Sequence, residues 1–139
     1  MTDRQKEHLR STLKNIKNGQ LFYVDNVFEA HHGDCVGADA EFHGLVREVI
    51  PQCKIWVHPM RDGKMRAYCQ GDVILEPRPA LDRNIDIVNA SHFMIATPKG
   101  MKEELRSGTW HTVRYTKRQQ KGLTIIWPQE PHTAEVDLT

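Results

Sequence analysis

One stretch of the chain has residue types and spacing suited to anion chemistry: His31-His32-Gly33-Asp34-Cys35-Val36-Gly37-Ala38-Asp39-Ala40. It follows a short, β-leaning apolar run (Val27, Phe28, Ala30) and precedes a segment of helical periodicity, so its two glycines fall where a strand turns into a helix. The first turn of a helix leaves its N–H groups free, the helix dipole adds about half a positive charge, and glycine lets a phosphoryl group approach the backbone. Phosphate or a phosphorylated nucleotide is the ligand such a junction suits. The Gly-x-x-x-Gly spacing is neither the dinucleotide fingerprint nor a P-loop, and there is no Gly-Lys-Ser/Thr. Read alone, the same glycines are ordinary turn chemistry.

A second glycine turn, Ser107-Gly108-Thr109, opens another helical segment, with Arg106 before it and Trp110 after it. Its hydroxyls suit either an N-cap or an anion. Arg83 and Asn84 fall in the first turns of a third helical segment, and arginine offers a planar fork for phosphate or carboxylate. Asp34 and Asp39 are placed to accept from sugar hydroxyls, although Asp39 serves a helix dipole equally well. Glu103 and Glu104 precede the Ser-Gly-Thr turn. A carboxylate there suits N-glycosidic cleavage, which develops positive charge on a ribose carbon; a solvated surface pair is the plainer reading.

Other chemistries fit less well. His31, His32, Asp34, Cys35 and His43 are all metal-ligand types, but their spacing matches no known site, and adjacent histidines on a strand point to opposite faces. No metal and no other cofactor is expected. Cys35 at a helix start would have a lowered pKa and could pair with a histidine as a nucleophile, which is a weaker reading than anion binding. Trp56, Trp110 and Trp127 read as core or crevice wall, with Trp110 the candidate to stack on a base.

The elements that position these residues follow from periodicity. Thr2-Asp3-Arg4-Gln5 fits a capping box, Leu9, Leu13 and Ile16 recur at helical spacing, and Gly19 suits the residue after a helix end. Leu21-Phe22-Tyr23-Val24 is ambiguous between a short strand and a flap. Val27 to His32 reads as a strand, and about Ala38 to Ile50 as a helix with Phe42, Leu45, Val46 and Val49 on one face. Lys54 to His58 is a dense apolar run ended by Pro59, a second parallel-strand candidate. Met60 to Pro79 has no sustained period and is long for a plain connection. Ala80 to Ala90 reads as a helix and His92 to Thr97 as a strand. A helix then follows Ser107, Leu123 to Trp127 is the last strand, and the rest is a tail. Helices alternating with short buried strands predict an α/β fold, a Rossmann-like three-layer sandwich with a mainly parallel sheet. In such sheets the ligand crevice lies beyond the carboxyl ends of the strands, which collects Gly33 to Asp39, His58 and Thr97 to Thr109.

Composition agrees. The 139 residues, 39% hydrophobic and 27% charged, suit one compact domain, taken as residues 1–128 with a tail over 129–139. Nineteen basic against 18 acidic residues give a net charge of +1, which is no footprint for nucleic acid. Apolar runs are too short to cross a bilayer and the N-terminus lacks a signal-peptide core, so a cytoplasmic protein with no membrane partner is expected. Three cysteines without a Cys-x-x-Cys pair suggest reduced thiols.

Taken together, the motifs His-His-Gly-Asp-Cys-Val-Gly-Ala-Asp-Ala-Glu-Phe-His (31–43), Ile-x-Val-His-Pro (55–59), Arg-Asn-x-Asp-Ile-Val-x-Ala-Ser (83–91) and Glu-Glu-Leu-Arg-Ser-Gly-Thr-Trp-x-Thr-Val-Arg-Tyr (103–115) resemble small bacterial and phage members of the SLOG superfamily. That Rossmann-like group contains the LOG-type phosphoribohydrolases and the DNA-processing protein DprA. The resemblance spans about residues 1–128. It implies a small nucleotide-type ligand, with Gly33, Asp34, Cys35, Gly37, Ala38, Asp39, Arg83, Asn84, Ser107, Gly108 and Thr109 at the matching positions. The phosphoribohydrolase signature resembles Pro-Gly-Gly-x-Gly-Thr-x-x-Glu, with the last glutamate catalytic; here Thr112 follows Gly108-Thr109-Trp110-His111, which argues against hydrolysis. Members of the group usually begin with a strand and loop that precede a Met-Thr resembling Met1-Thr2. The resemblance therefore implies a gap between strands and an incomplete pocket, closed by Leu21 to Val24 or by a partner chain, and a homo-oligomer is expected.

The leading expectation is a domain that binds a nucleotide or nucleotide-derived ligand through two glycine-containing helix starts. The alternatives are an N-glycosidic hydrolase in which Glu103 or Glu104 replaces the lost glutamate, and an oligomeric interaction module with a vestigial pocket.

Overall fold

The computed structural model describes residues 1–19 and 28–130. The ambiguous run Leu21 to Val24, the expected strand residue Val27 and the tail from Pro131 onward lie outside the described residues. The first helix, α1 (Asp3–Lys17), begins as its sequence dictates. Thr2 Oγ1 accepts from the Gln5 amide at 3.1 Å and Gln5 Oε1 accepts from the Thr2 amide at 2.9 Å, so two otherwise orphaned donors are satisfied reciprocally. After the cap residue Asn18 the chain turns at Gly19, whose φ of 76° suits glycine.

The remaining elements alternate. They are β1 (Glu29–His32), α2 (Ala38–Val49), β2 (Lys54–Val57), β3 (Val73–Ile74), α3 (Ala80–Ala90), β4 (Phe93–Ala96), α4 (Gly108–Arg118) and β5 (Gly122–Ile125). Every recorded strand pair is parallel, which makes this an α/β fold with parallel sheet. The strands form two pieces, β1-β2-β3 and β4-β5. The stretch from Met60 to Pro79, aperiodic in sequence, holds a single 3-10 turn at Gly63–Met65 and the two-residue β3. Two residues are too few to show any period.

Helices cover both faces. α1 packs on α2, and α3 packs on α4. One core joins Leu9 and Leu13 of α1 to Leu45, Val46 and Val49 of α2 and to Ile55 and Val57 of β2, both fully buried. A second core gathers Ala96, Trp110 and Val113, with Leu123, Ile125 and Trp127 against them. Alternation along the last strand serves both, because Leu123 and Ile125 face the second core while Ile126 enters the first. No helix among the described residues is long and apolar enough to cross a membrane.

α1 also reaches the second sheet. Gln5 is buried, and its Nε2 donates to Pro98 O at 2.7 Å and Ile126 O at 2.9 Å, just past the ends of β4 and β5. Arg4 adds a bond to Trp127 O at 2.6 Å and an ion pair to Glu130 at 3.0 Å. One side chain thus completes a helix cap and saturates two carbonyls at the sheet end. Gln5→Ala is expected to lower the unfolding free energy by about 3 kcal/mol in a urea titration, since two carbonyls lose their donor and half the capping box goes. A loss below about 1 kcal/mol would show that water serves those carbonyls equally well.

Candidate functional site

The Gly33–Asp39 turn is built from partners far away in sequence. Asp34 is fully buried with φ of 59°, a left-handed conformation that Asp tolerates better than most residues. Its Oδ2 accepts from Arg66 Nε at 2.9 Å and its Oδ1 from the Cys69 amide at 2.9 Å. Burial works against the carboxylate, but these donors together hold its pKa below the ordinary value. Both oxygens are therefore engaged, and Asp34 shapes the turn instead of facing a ligand. The turn is held further by Val36 N–H to Met65 O at 2.9 Å and Ala67 N–H to Asp34 O at 2.7 Å. Arg66 and Cys69 were not singled out in the sequence; the only sign of them is the length of the aperiodic stretch that carries them.

Gly37 caps α2 with φ 93° and ψ −121°, a conformation that needs glycine, and open space lies where a side chain would be. No side chain caps this helix start. Asp39, in its first turn, accepts from the Cys35 amide at 3.0 Å through Oδ2. Burial, with Asp39 adding to it, pushes the Cys35 thiol above its ordinary pKa, the opposite of what a nucleophile at a helix start needs.

Arg83 crosses from α3 to this turn and is only 5% exposed. Its Nη1 donates to Gly33 O and to His58 O, the latter at 3.1 Å, and its Nε donates to Asn84 Oδ1 at 2.7 Å. Nη2 has Cys35 Sγ at 3.9 Å. A Cβ at Gly33 would stand 2.7 Å from Arg83 Cζ, so only glycine lets the guanidinium lie against the turn. Asn84 extends the line: its Nδ2 is 3.8 Å from where a Cβ on Gly108 would be. The two glycine turns therefore meet at one edge, bridged by Arg83 and Asn84. Gly33, Cys35, Ala38, Asp39, Arg83, Asn84, Gly108 and Thr109 all line one cavity of about 780 Å³.

Other expected residues are placed differently. Ser107 Oγ accepts from the Trp110 amide at 3.3 Å, an ordinary N-cap. Trp110 is 4% exposed and packs 5.7 Å from Trp127, centroid to centroid, so it is core and offers no face to a base. His58 contributes its carbonyl to Arg83, while its Nε2 lies 2.9 Å from His31 Nδ1. Glu103 pairs with Arg114 at 2.9 Å on the surface. Exposed Glu104 and Arg106 border a second hollow with Ser107, Gly108 and Thr109.

The histidines form two pairs, His31 with His58 and His32 with His43, the second also at 2.9 Å. Cys69 Sγ joins His32 and His43 with ligand atoms all within 4.8 Å. The chemistry of this trio fits hydrogen bonding and not a metal. The Asp34 amide donates to His32 Nδ1 at 3.0 Å, so neutral His32 carries its proton on Nε2 and donates it to His43. A metal-bound imidazole needs its proton on the far nitrogen, which here is the acceptor. Burial and Asp34 also push the Cys69 thiol up to about 11.

Compared with known protein families, with curated proteins and with solved structures, the chain gives no match.

Burial lowers His32 and His58 to a pKa of about 4, and lowers His31 and His43 as well. The unfolded chain protonates these groups near 6.5, so their contribution to stability is complete above pH 6.5. It is lost as the pH falls towards about 4, at a cost on the order of 3 kcal/mol for each of His32 and His58. Urea titrations between pH 7 and pH 4 are expected to show this decline. An unfolding free energy flat across that range would contradict it.

Proposed function

We propose that the chain binds a nucleotide or nucleotide-derived anion between its two glycine turns, as a small SLOG-type domain. The observation that carries the reading is Arg83. It is a buried guanidinium with no carboxylate within 4.0 Å among the described residues, and it lines the cavity where the starts of α2 and α4 meet. Its Nη2 meets Cys35 Sγ at 3.9 Å and no oxygen among the described residues, so a phosphoryl group would supply the strong acceptor that this corner of the guanidinium lacks, beside the Asp39 carboxylate across Gly33. The uncapped start of α2 at Gly37 supports the same ligand charge, because its free amides and dipole favour an anion. The alternative of N-glycosidic cleavage is left with Glu104, since Glu103 is held by Arg114.

Calorimetry with AMP, ADP-ribose and a cyclic dinucleotide tests the proposal. At least one is expected to bind, and to stabilise the fold by about 2.7 kcal/mol at 100 times its dissociation constant. Thr109→Glu adds a negative charge at an exposed position lining the cavity. It is expected to weaken binding at least tenfold while leaving the melting temperature of the free protein unchanged. Failure of all three ligands to bind removes the proposal. Release of free base, abolished by Glu104→Gln, would replace binding with hydrolysis.

A further inference from the structure

A second hollow, of about 720 Å³, opens beside the Arg83 cavity, and its size lies in the range of about 300–1,000 Å³ that small-molecule sites occupy. Met1, Ala38, Thr97, Gly108 and Thr109 line both spaces, so the two meet along the starts of α2 and α4 and the end of β4. Asn84 stands at this junction on the Arg83 side. Its Oδ1 accepts from Arg83 Nε at 2.7 Å, which leaves Nδ2 as a donor beside Gly108 with no acceptor among the described residues. Gly108 itself puts no side chain into the passage.

The two spaces are lined differently. The Arg83 cavity is walled largely by apolar side chains of α1, α2 and α3, whereas the second hollow has Lys99 and Arg106 on its rim against one carboxylate, Glu104. Neither cation has an ion pair or a side-chain hydrogen bond among the described residues. The Met1 ammonium is already held by Glu41 at 2.8 Å and adds no free charge. Trp110 also lines the hollow. It is only 4% exposed, and its indole N–H, which can donate and never accept, has no acceptor among the described residues. Two unpaired cations and an enclosed unpaired donor around one space call for a negatively charged, acceptor-rich group. Water can serve each of them singly; a phosphoryl group serves several at once and brings the opposite charge.

We propose that the second hollow is a second phosphoryl subsite, so that the ligand is a nucleotide with two phosphoryl groups, one beside Arg83 and one held by Lys99 and Arg106. The inference rests on the reading that a nucleotide binds at Arg83, and it names the class of nucleotide. The second phosphoryl group is attached either to the first or to the sugar, and in both cases it offers the same terminal oxygens to the two cations.

Calorimetry on the full chain with AMP, ADP and adenosine 3′,5′-bisphosphate tests the inference. ADP or the bisphosphate is expected to bind at least about tenfold more tightly than AMP, and which of them does so tells where the second group is attached. The exposed pair Lys99→Ala/Arg106→Ala is expected to abolish that gain while leaving the affinity for AMP within about twofold. Lys117→Ala/Arg118→Ala removes the same charge from the exposed end of α4 and is expected to keep the gain. AMP binding without any gain from a second phosphoryl group overturns the inference and leaves the nucleotide reading standing. A gain that survives Lys99→Ala/Arg106→Ala also overturns it, and so does one lost equally in the α4 variant, which marks general charge attraction. If none of the three binds, the inference falls, and the nucleotide reading is then decided by ADP-ribose and the cyclic dinucleotide alone.

Discussion

Among the described residues no ladder joins β1 to β4, and what links the two halves of this parallel sheet there is helices and a few side chains. In an unbroken sheet the backbone itself fixes strand order and register. Here that task passes to α1 and α3. Gln5 and Arg4 tie α1 to the ends of β4 and β5, while Leu9 and Leu13 bury the same helix in the core above β2. On the other face, Arg83 ties α3 to the carboxyl ends of β1 and β2, and α3 leads directly into β4. Each link spans the break once, and each depends on a long side chain whose polar end meets backbone carbonyls.

The same economy explains the turn after β1. A strand-to-helix junction with Asp34 in the left-handed region is not stable through local bonds alone. It is held because Arg66 and the Cys69 amide arrive from the stretch after β2, and because the His32–His43 pair fixes the strand below it. Two neutral histidines in contact share one hydrogen bond without a charge, which suits a buried position, and burial is what lowers the pKa of both. The turn is thus held by its own partners, with Val36 and the uncapped helix start at Gly37 left exposed.

Elements with their own local signal were legible in the sequence. The Thr2–Gln5 capping box, Gly19 after α1, and the span Ala80 to Ala90 of α3 follow from patterns four or more residues long. The strands were found to within a residue or two, because proline or glycine punctuates their ends. β3 escaped, since its two residues exist as a strand only through pairing with β2. At the site, Gly33, His58 and Gly108 could be grouped in advance by the rule that crevices lie beyond strand ends, and Arg83 and Asn84 added from their place in the first turns of the third helix. The partners of Asp34 could not, because nothing near Arg66 or Cys69 records a contact made more than 30 residues away. Trp110 illustrates the opposite error: an aromatic beside a glycine turn looks like a base platform until the second sheet is placed against it.

Proton chemistry separates the possible uses of the crevice. A general acid or base works best with a pKa near the working pH, and a nucleophilic thiol needs its pKa lowered. Burial moves His58 and His32 down to about 4 and the Cys35 thiol up, so each is driven away from neutrality into its uncharged form. The charged side chains that meet at the turn are the Arg83 guanidinium and the Asp39 carboxylate, on either side of Gly33. Asp39 is already accepting the Cys35 amide. A crevice whose histidines and thiol resist ionisation is poorly equipped to transfer a proton near neutral pH, and Thr112, placed among the lining residues, carries no carboxylate to alter that.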